Sequence, residues 1–481
     1  MDLQACYVII GGGIAGVSCA ETLTTLTNES ILLISGSDVV KVTRNVNQLT
    51  EALTQFDVED QSASEFESTF PGLAVSTGVT VVTLNPELRE LKLSDGRVAR
   101  YEKGVCLCVG ASPKTLDGAE SAENLVFTLR DMESVASLIE KLKDARKVAV
   151  VGNGGIATEL VYTLKGVQDM VWVVRDKHIS AAFVDPGAAQ FFINSGGLTE
   201  AGQKKGATVI KRLTYQSQNG TKKECQGAAL GPDWHTKFKV EGPNGDKMPN
   251  IHIEYETEVK RIIKRGETGF PAELNNWPVV LELTNKSLIG CDLVVNAIGV
   301  LPNCKMFDGV LDMASPEQGS GIKVDKAMRT SADGVFAAGD VIFANWMKEK
   351  HWFQMRLWTQ ARQMGCQAAR AMAVPSSVSM FDFSFEMFAH VTKFFGFKVV
   401  LLGLYNGQKM NPGDWEALLR VTPGKEFIKL VIANGKVQGA VLIGETELEE
   451  TCENLILNQL DVSALGDDLL NPDIDIEDYF D

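Results

Sequence analysis

The chain has 481 residues, is 45% hydrophobic and carries a formal net charge of −16 at pH 7. This length and composition predict a globular protein of about two to four domains. The acidic balance argues against direct nucleic-acid binding, because general nucleic-acid binders are basic. We expect no membrane association, because no apolar run approaches the roughly 18 residues of a spanning helix. The glycine-rich apolar start, which has no basic leader, also predicts no signal peptide.

The cysteines indicate a reducing compartment. There are nine of them, an odd number, and they are scattered along the chain. Such a distribution is typical of free thiols, so we expect a cytoplasmic or nuclear protein. No C-x-x-C occurs, and no cysteine–histidine cluster has zinc-ligand spacing, so we expect no metal site.

The first motif lies near the N-terminus, in the stretch YVIIGGGIAG. Residues 7–10 predict a buried parallel strand and residues 17–26 predict a helix. Between them stands a G-x-G-x-x-G turn that permits a tight bend, close approach of a diphosphate and close helix packing. The helix N-terminus then offers free N–H groups to phosphate oxygens. The predicted cofactor-binding residues of this turn are Gly11, Gly13, Ile14, Ala15 and Gly16.

A second copy of the same motif occurs one domain length later, in VAVVGNGGIA. Residues 147–151 predict the strand and residues 158–164 predict the helix, with alanine as the tolerated third small residue. The predicted binding residues are Gly152, Gly154, Ile156 and Ala157. Two dinucleotides bound by one chain can exchange a hydride, so the repetition predicts a redox protein with two nucleotides.

Four further segments occur along the chain: CLCVGASP, between the two glycine-rich turns, and then NAIGVLPN, TSADGVFAAGD and WTQARQMG, after the second turn. Together with the two glycine-rich turns, they resemble the motifs of the pyridine nucleotide-disulfide oxidoreductase superfamily across most of residues 1–375. The resemblance implies FAD and NADPH or NADH as cofactors and an FAD-dependent NAD(P)H oxidoreductase activity. It adds these candidate cofactor-binding residues: Gly110, Ala111, Gly299, Gly339, Asp340 and Trp358.

The resemblance also implies the fold and the domain order. The class is α/β, with two Rossmann-like domains and a small α+β C-terminal domain. We expect an FAD-binding domain at 1–127 and 291–375, interrupted by an NAD(P)H-binding domain at 128–290. The C-terminal domain is expected at 376–481. This last domain is a candidate surface for a dimer or a partner protein.

Three side chains are expected near the reacting rings. By resemblance, Glu159 contacts the nicotinamide and is the candidate catalytic residue, although a carboxylate in the first helical turn is also favoured by the helix dipole alone. Lys41 and Arg44 lie where family members approach the flavin. Either can stabilise negative charge there, and the alternative is that both are simply exposed.

The chain departs from the family in its cysteines. Neither the segment KVTRNVN, residues 41–47, nor the NAD(P)H domain carries the redox-active pair of disulfide reductases. Cys106 and Cys108 face the same side of an apolar strand, which favours two small core residues. We therefore expect electrons to leave to oxygen or another non-disulfide acceptor.

The residues expected to bind the riboses of the two nucleotides also depart from the family pattern. An acid often holds the ribose about 20 residues after the fingerprint, but the strand ILLIS ends at Ser35, with Asp38 three residues later. In the second domain the strand VWVVR ends at Arg175, which favours acceptance of the NADPH 2′-phosphate without excluding NADH. A solvated charge run is the alternative for Arg175.

Three regions lie outside these motifs. Residues 195–250 are polar and partly basic, which predicts a long insertion. Residues 429–444 predict a hairpin through Asn434-Gly435. Residues 461–481 contain eight acids and neither lysine nor arginine, which predicts a disordered tail or a partner-docking segment.

A closer resemblance, to one eukaryotic branch of the superfamily, is carried by residues 381–406, 439–460 and 471–481. It implies a partner, the tRNA ligase complex. The alternative function is then that of a redox-sensing flavoprotein whose reduced flavin and bound nicotinamide protect that partner from oxidation.

Overall fold

The computed structural model describes residues 2–129, 132–195, 208–214, 248–374, 385–411 and 413–473. Most of the predicted insertion, residues 196–207 and 215–247, lies outside these ranges, as do the last residues of the acidic tail. The chain divides into two compact units. Unit 1 comprises Met1–Ser112 and Val300–Met387, and unit 2 comprises Pro113–Gly299 and Phe388–Asp481. The predicted domain boundaries stay a prediction.

The helices are α1 (Ile14–Leu26), α2 (Ala63–Thr69), α3 (Met132–Leu142), α4 (Gly155–Thr163), α5 (Pro186–Ser195), α6 (Trp358–Ala373) and α7 (Glu449–Asn458). Within the described ranges, none of them combines the length and apolarity that crossing a membrane requires.

The strands up to the second glycine-rich turn are β1 (Leu3–Ile10), β2 (Ile31–Ile34), β3 (Val39–Gln48), β4 (Thr54–Ser62), β5 (Leu73–Ser76), β6 (Val81–Asn85), β7 (Glu90–Leu93), β8 (Val98–Leu107), β9 (Ala111–Pro113), β10 (Val126–Thr128) and β11 (Lys147–Val151). The next are β12 (Asp169–Val173), β13 (Val209–Thr214), β14 (Asn250–Glu254), β15 (Val259–Lys264), β16 (Val279–Leu283), β17 (Leu288–Cys291), β18 (Leu293–Asn296), β19 (Val300–Pro302), β20 (Ile322–Val324), β21 (Val335–Ala337) and β22 (Ile342–Ala344). The last are β23 (Ala389–Phe394), β24 (Phe397–Gly403), β25 (Glu416–Thr422), β26 (Glu426–Ala433) and β27 (Lys436–Ile443).

Unit 1 contains a parallel sheet of the Rossmann kind. Its strand order is β5-β2-β1-β8, with β21 also paired to β8. The strands are continuous apolar runs because helices cover a parallel sheet on both faces. Helices α1 and α6 pack so closely that a Cβ on Gly365 would lie 2.2 Å from the carbonyl oxygen of Ala15. The α/β class predicted from the sequence is confirmed.

Unit 2 contains a second parallel sheet, with the order β10-β18-β11-β12-β14. A three-stranded antiparallel sheet, β15-β16-β17, shares a hydrophobic core with it. Val279 and Leu281 from this small sheet are fully buried in the same cluster as Ala149 and Val171. The small sheet therefore supports the strands that carry the second glycine-rich turn.

The other sheet of unit 2 is antiparallel and six-stranded, with the order β13-β25-β26-β27-β24-β23. The predicted hairpin is present as β26 and β27, and Asn434 and Gly435 both have positive φ, at 53° and 71°. Such φ values are those of a tight hairpin turn. The sheet also contains a strand from the predicted insertion, because β13 pairs with β25 along its whole length.

A buried polar cluster joins the nucleotide-binding part of unit 2 to its six-stranded sheet. The ammonium of Lys429, which is fully buried, forms an ion pair with Asp185 and donates to Asn406 Oδ1 at 2.7 Å. Asp185 also accepts from the Ala188 N–H at 3.0 Å, at the start of α5. Burial lowers the pKa of Lys429, and the charge of Asp185 works against that shift. Each charge therefore needs the other in this interior.

Replacement of Lys429 by methionine should lower the free energy of unfolding by about 3–5 kcal/mol, because it leaves the Asp185 carboxylate buried without its cation. The measurement is urea denaturation. Lys425→Met, at an exposed site in the turn between β25 and β26, should change the free energy of unfolding by less than about 0.5 kcal/mol. The double variant Asp185→Asn, Lys429→Met should recover part of the loss. Equal stability of Lys429→Met and the unaltered chain would contradict this account.

Candidate dinucleotide-binding sites

The first glycine-rich turn connects β1 to α1 at the carboxyl end of the unit 1 sheet. Gly11 has a φ of 116°, and a Cβ there would lie 2.2 Å from the Cys108 carbonyl oxygen. A Cβ on Gly16 would lie 1.9 Å from the Gly11 carbonyl oxygen. Only glycine fits at these two positions, because both contacts are with backbone. Ile14 and Ala15, the first residues of α1, are buried.

Space for a ligand exists above this turn. A Cβ added to Gly13 would have no heavy atom within 4 Å. Gly13 is also the N-cap of α1, and no side chain caps this described helix end. The first N–H groups of α1 therefore point toward open space with the positive end of the helix dipole behind them. This cradle fits a dinucleotide diphosphate.

The predicted residues on the adjoining strands lie around the same turn. Ser35, the residue after β2, is buried, and its Oγ would lie 2.6 Å from a Cβ on Gly12. The Lys41 N–H donates to the Gly12 carbonyl at 2.8 Å. Its ammonium is paired with Asp60 at 2.9 Å, and Arg44 donates to Gln61 at 3.0 Å. Both cations thus have partners across the β3–β4 hairpin.

The segment around Asp340 approaches α1 from another side. Gly339 has a φ of 80°, and a Cβ there would lie 2.8 Å from the Cβ of Ala15. Burial raises the pKa of Asp340 to about 6, although Arg356 works against this shift. The Arg356 guanidinium donates to the Asp340 carbonyl at 3.0 Å. Trp358 is buried at the first position of α6.

Two more predicted glycines stand in turns with positive φ. Gly110 has a φ of 64°, and its carbonyl accepts from the Asn303 N–H at 3.0 Å within unit 1. Ala111 follows it as the first residue of β9. Gly299, in unit 2, has a φ of 95°, and its carbonyl accepts from the Lys114 N–H at 2.9 Å.

The second glycine-rich turn repeats the geometry of the first in unit 2. Gly152 has a φ of 133°, and a Cβ there would lie 2.2 Å from the Ala297 carbonyl oxygen. A Cβ on Gly154 would meet nothing within 4 Å. Ile156 and Ala157 lie in the first turn of α4, and Ala157 is fully buried. The residues present again fit a diphosphate at a helix N-terminus.

Two predicted side chains differ in their surroundings near this turn. Glu159 is buried on α4, one helical turn beyond its start. Arg175 follows β12 and is half exposed, with its Nε 3.6 Å from the Glu258 carboxylate. Such an exposed pair stabilises little, so Arg175 can leave it for another anion at small cost.

Two residues that hold the site together were not predicted from the sequence. Arg356 binds the Asp340 carbonyl, as described above, and Asn153 binds the segment after β12. The Asn153 amide donates to Asp176 at 2.9 Å and to the His178 carbonyl at 2.9 Å, and it accepts from the Ser180 N–H at 2.5 Å. It thereby ties the glycine-rich turn to the segment that follows β12. An asparagine between two motif glycines was the only available signal.

The cysteines near the first turn are buried. The Sγ atoms of Cys106 and Cys108 lie 3.5 Å apart. The hydrogen bond to Cys106 and burial raise the pKa of Cys108 well above its ordinary value. A neutral, buried thiol is a poor nucleophile, so these cysteines behave as core residues.

Replacement of Gly13 by valine should lower the FAD content of the purified protein at least about tenfold, because the side chain fills the space above the turn. Gly154→Val should retain flavin but raise the KM for NAD(P)H about tenfold. The two variants are each other's control. The measurements are flavin absorbance per protein and steady-state kinetics, with circular dichroism to check the fold. Full flavin content in Gly13→Val would refute the placement of FAD at the first glycine-rich turn.

Comparison with known proteins agrees with this geometry. The family described as pyridine nucleotide-disulphide oxidoreductase matches residues 6–195 and 246–365. The chain is 45% identical to the Rattus norvegicus pyridine nucleotide-disulfide oxidoreductase domain-containing protein 1, with 99% of this chain and 98% of that protein covered. The Drosophila melanogaster protein of the same name is 45% identical over the full length of both.

A solved structure shares the fold at low identity. The water-forming NADH oxidase from Lactobacillus brevis, bound to NADH, superposes with a TM-score of 0.64. It is 15% identical, and the match covers 96% of this chain and 92% of that one. With two glycine cradles and a family match over most of its length, this chain belongs to the pyridine nucleotide-disulphide oxidoreductase family and is an FAD-dependent NAD(P)H oxidoreductase.

Proposed function

We propose that this chain oxidises NAD(P)H at its FAD and delivers the electrons to oxygen or another non-disulfide acceptor. The observation that carries the proposal is the pair of open glycine cradles, above Gly13 and Gly154, in a sequence with no redox-active cysteine pair. Bound FAD would supply the two-electron centre that accepts a hydride from the nicotinamide.

The residues of the chain bind and orient the two nucleotides. The N–H groups at the starts of α1 and α4 would hold the diphosphates. Ser35, beside the first turn, offers a hydroxyl to the FAD ribose, whereas Asp38 is exposed. Asp340, whose pKa is raised, would accept a hydrogen bond from, or donate one to, the part of FAD that joins the flavin ring to the diphosphate. Glu159 would orient the nicotinamide.

The exit of electrons does not use a thiol in this proposal. Residues 41–47 form part of β3 and contain no cysteine. Cys106 and Cys108 are buried, with their pKa values raised well above the ordinary range. An acceptor that reacts directly with reduced flavin is therefore favoured, and oxygen is the simplest such acceptor. The Lactobacillus brevis relative is described as a water-forming NADH oxidase.

A second candidate function follows from the same missing pair. A flavoprotein that has no cysteine pair to accept electrons from its reduced flavin can stay reduced and act as a redox sensor. We propose, as the alternative, that this state protects a partner from oxidation, with the tRNA ligase complex as the partner implied by resemblance. The free cysteines of the described chain support a reducing compartment, cytoplasm or nucleus.

Arg175 should set the preference between NADPH and NADH. Arg175→Gln is expected to raise the KM for NADPH about tenfold, because it removes the cation available to the 2′-phosphate. The KM for NADH should change less than about twofold. The matched control is Lys177→Gln, two residues later, which should alter neither constant strongly. Equal effects on the two nucleotides would show that Arg175 does not contact the 2′-phosphate.

The two candidate functions differ in how fast the reduced protein reoxidises. The measurement is stopped-flow absorbance at the flavin band after mixing with NADPH or NADH, with and without air. The oxidase proposal predicts rapid bleaching and full recovery in air within seconds. Bleaching that persists for minutes in air supports the sensor instead. A colourless protein that binds no added FAD would exclude both.

A further inference from the structure

A cleft separate from the glycine-rich turn lies between α1 and α6 in unit 1. It measures about 210 Å³. The helices touch at Ala15 and Gly365, and both helices contribute residues to the cleft. Its lining residues are Ser18, Glu21, Thr22, Thr25, Arg362 and Cys366.

One buried polar group that lines this cleft lacks a hydrogen-bond partner within the described chain. Ser18 is only 2% exposed, and its Oγ has no hydrogen-bond partner among the described residues. A buried hydroxyl left in this way costs free energy unless a ligand or water binds it. This buried hydroxyl therefore marks the cleft as a place where a polar ligand is expected.

Opposite charges face the same space without pairing. Burial raises the pKa of Glu21, and the charges of Arg362 and Arg44 work against that shift. Arg362 stacks over Phe56, with the guanidinium carbon 5.7 Å from the ring centroid. Among the described ion pairs, none joins Glu21 to Arg362 within 4.0 Å. A ligand with both a carboxylate and an ammonium would pair with Arg362 and Glu21 at the same time.

Cys366 supplies a thiol to the same cleft. It stands one turn after Arg362 on α6 and is partly exposed. Cys19, Cys106 and Cys108, the other cysteines of this neighbourhood, are buried. Exchange with a solvent-borne disulfide needs access to the attacking sulfur, and Cys366 is the thiol of this group that has it.

We propose that this cleft binds a small disulfide carrying α-amino-acid groups, and that Cys366 exchanges with it. The ligand carboxylate would bind Arg362 and the Ser18 hydroxyl, and its ammonium would bind Glu21. The Cys366 thiolate attacks one ligand sulfur, forming a new S–S bond as the ligand S–S bond breaks. One half stays on Cys366 as a mixed disulfide. The other leaves as a thiolate and takes up the proton that Cys366 released, so the ligand itself is the oxidant.

This reaction would be independent of the flavin chemistry. Within the described chain, the lining of the cleft includes no residue of the glycine-rich turn, from Gly11 to Gly16. A failure of thiol exchange would leave the oxidoreductase proposal intact, and the converse also holds.

The test compares three disulfides on the purified holoprotein at equal concentration. Cystine carries both charged groups, 3,3′-dithiodipropionate carries only the carboxylates, and cystamine carries only the ammonium groups. The rate of mixed-disulfide formation at each cysteine is followed by peptide mass spectrometry. Cys366 should react with cystine about tenfold faster than with either partial analogue. Cys304, which is also partly exposed, is the internal control and should show no such preference.

Variants of the two charged residues, Arg362 and Glu21, complete the test. Arg362→Gln should remove the advantage of cystine over cystamine, and Glu21→Gln should remove its advantage over dithiodipropionate. In both variants an unchanged rate at Cys304 reports an intact fold. Three results would each overturn the proposal: an unmodified Cys366, a rate without preference among the three disulfides, or a preference for cystine over cystamine that survives Arg362→Gln.

Discussion

Direct backbone contact at the first glycine-rich turn is the constraint on which unit 1 depends. The Gly11 carbonyl lies where a side chain on Gly16 would begin, and the Cys108 carbonyl excludes a side chain on Gly11. These contacts lay the start of α1 directly on the sheet. They also leave its N-terminal N–H groups directed into open space above Gly13. The same tight packing thus holds the fold together and creates the nucleotide cradle.

Unit 2 meets the same constraint and adds another support. Gly152 lies against the Ala297 carbonyl, as Gly11 does against Cys108. Behind the turn, Gly155 faces the ring of Phe183, which packs edge-on against Phe394 of the six-stranded sheet at 5.2 Å. The ion pair between Asp185 and Lys429 crosses the same boundary. The six-stranded sheet therefore packs against the part of unit 2 that carries the second glycine-rich turn and stabilises it.

The distribution of thiols separates this chain from the disulfide reductases that name its family. The buried thiols near the first turn have raised pKa values and little access to solvent. Cys366 is partly exposed, and it lines the cleft that residues of α1 and α6 form. The thiol exchange proposed for Cys366 and the proposed flavin reaction therefore use different residues of unit 1. The proposed electron path ends at an acceptor other than a disulfide because the sequence has no redox-active cysteine pair.

The sequence by itself determined the features whose signals are local. Each glycine-rich turn is encoded within one strand, one loop and one helix start, so both were predicted, as was the Asn434-Gly435 hairpin. The missing cysteine pair was equally visible. The assigned roles of individual site residues, such as Glu159 and Arg175, stay predictions.

Only the tertiary structure decided which distant residues meet. Lys429 pairs with Asp185, 244 residues away in the sequence, and β13 of the predicted insertion adds to a sheet built from the C-terminal region. The cleft likewise brings together residues of α1 and α6, such as Ser18 and Arg362, which are far apart in the sequence. Hydrophobic period and turn composition report on neighbours along the chain. Long-range pairing depends instead on burial and packing, which a single sequence does not display.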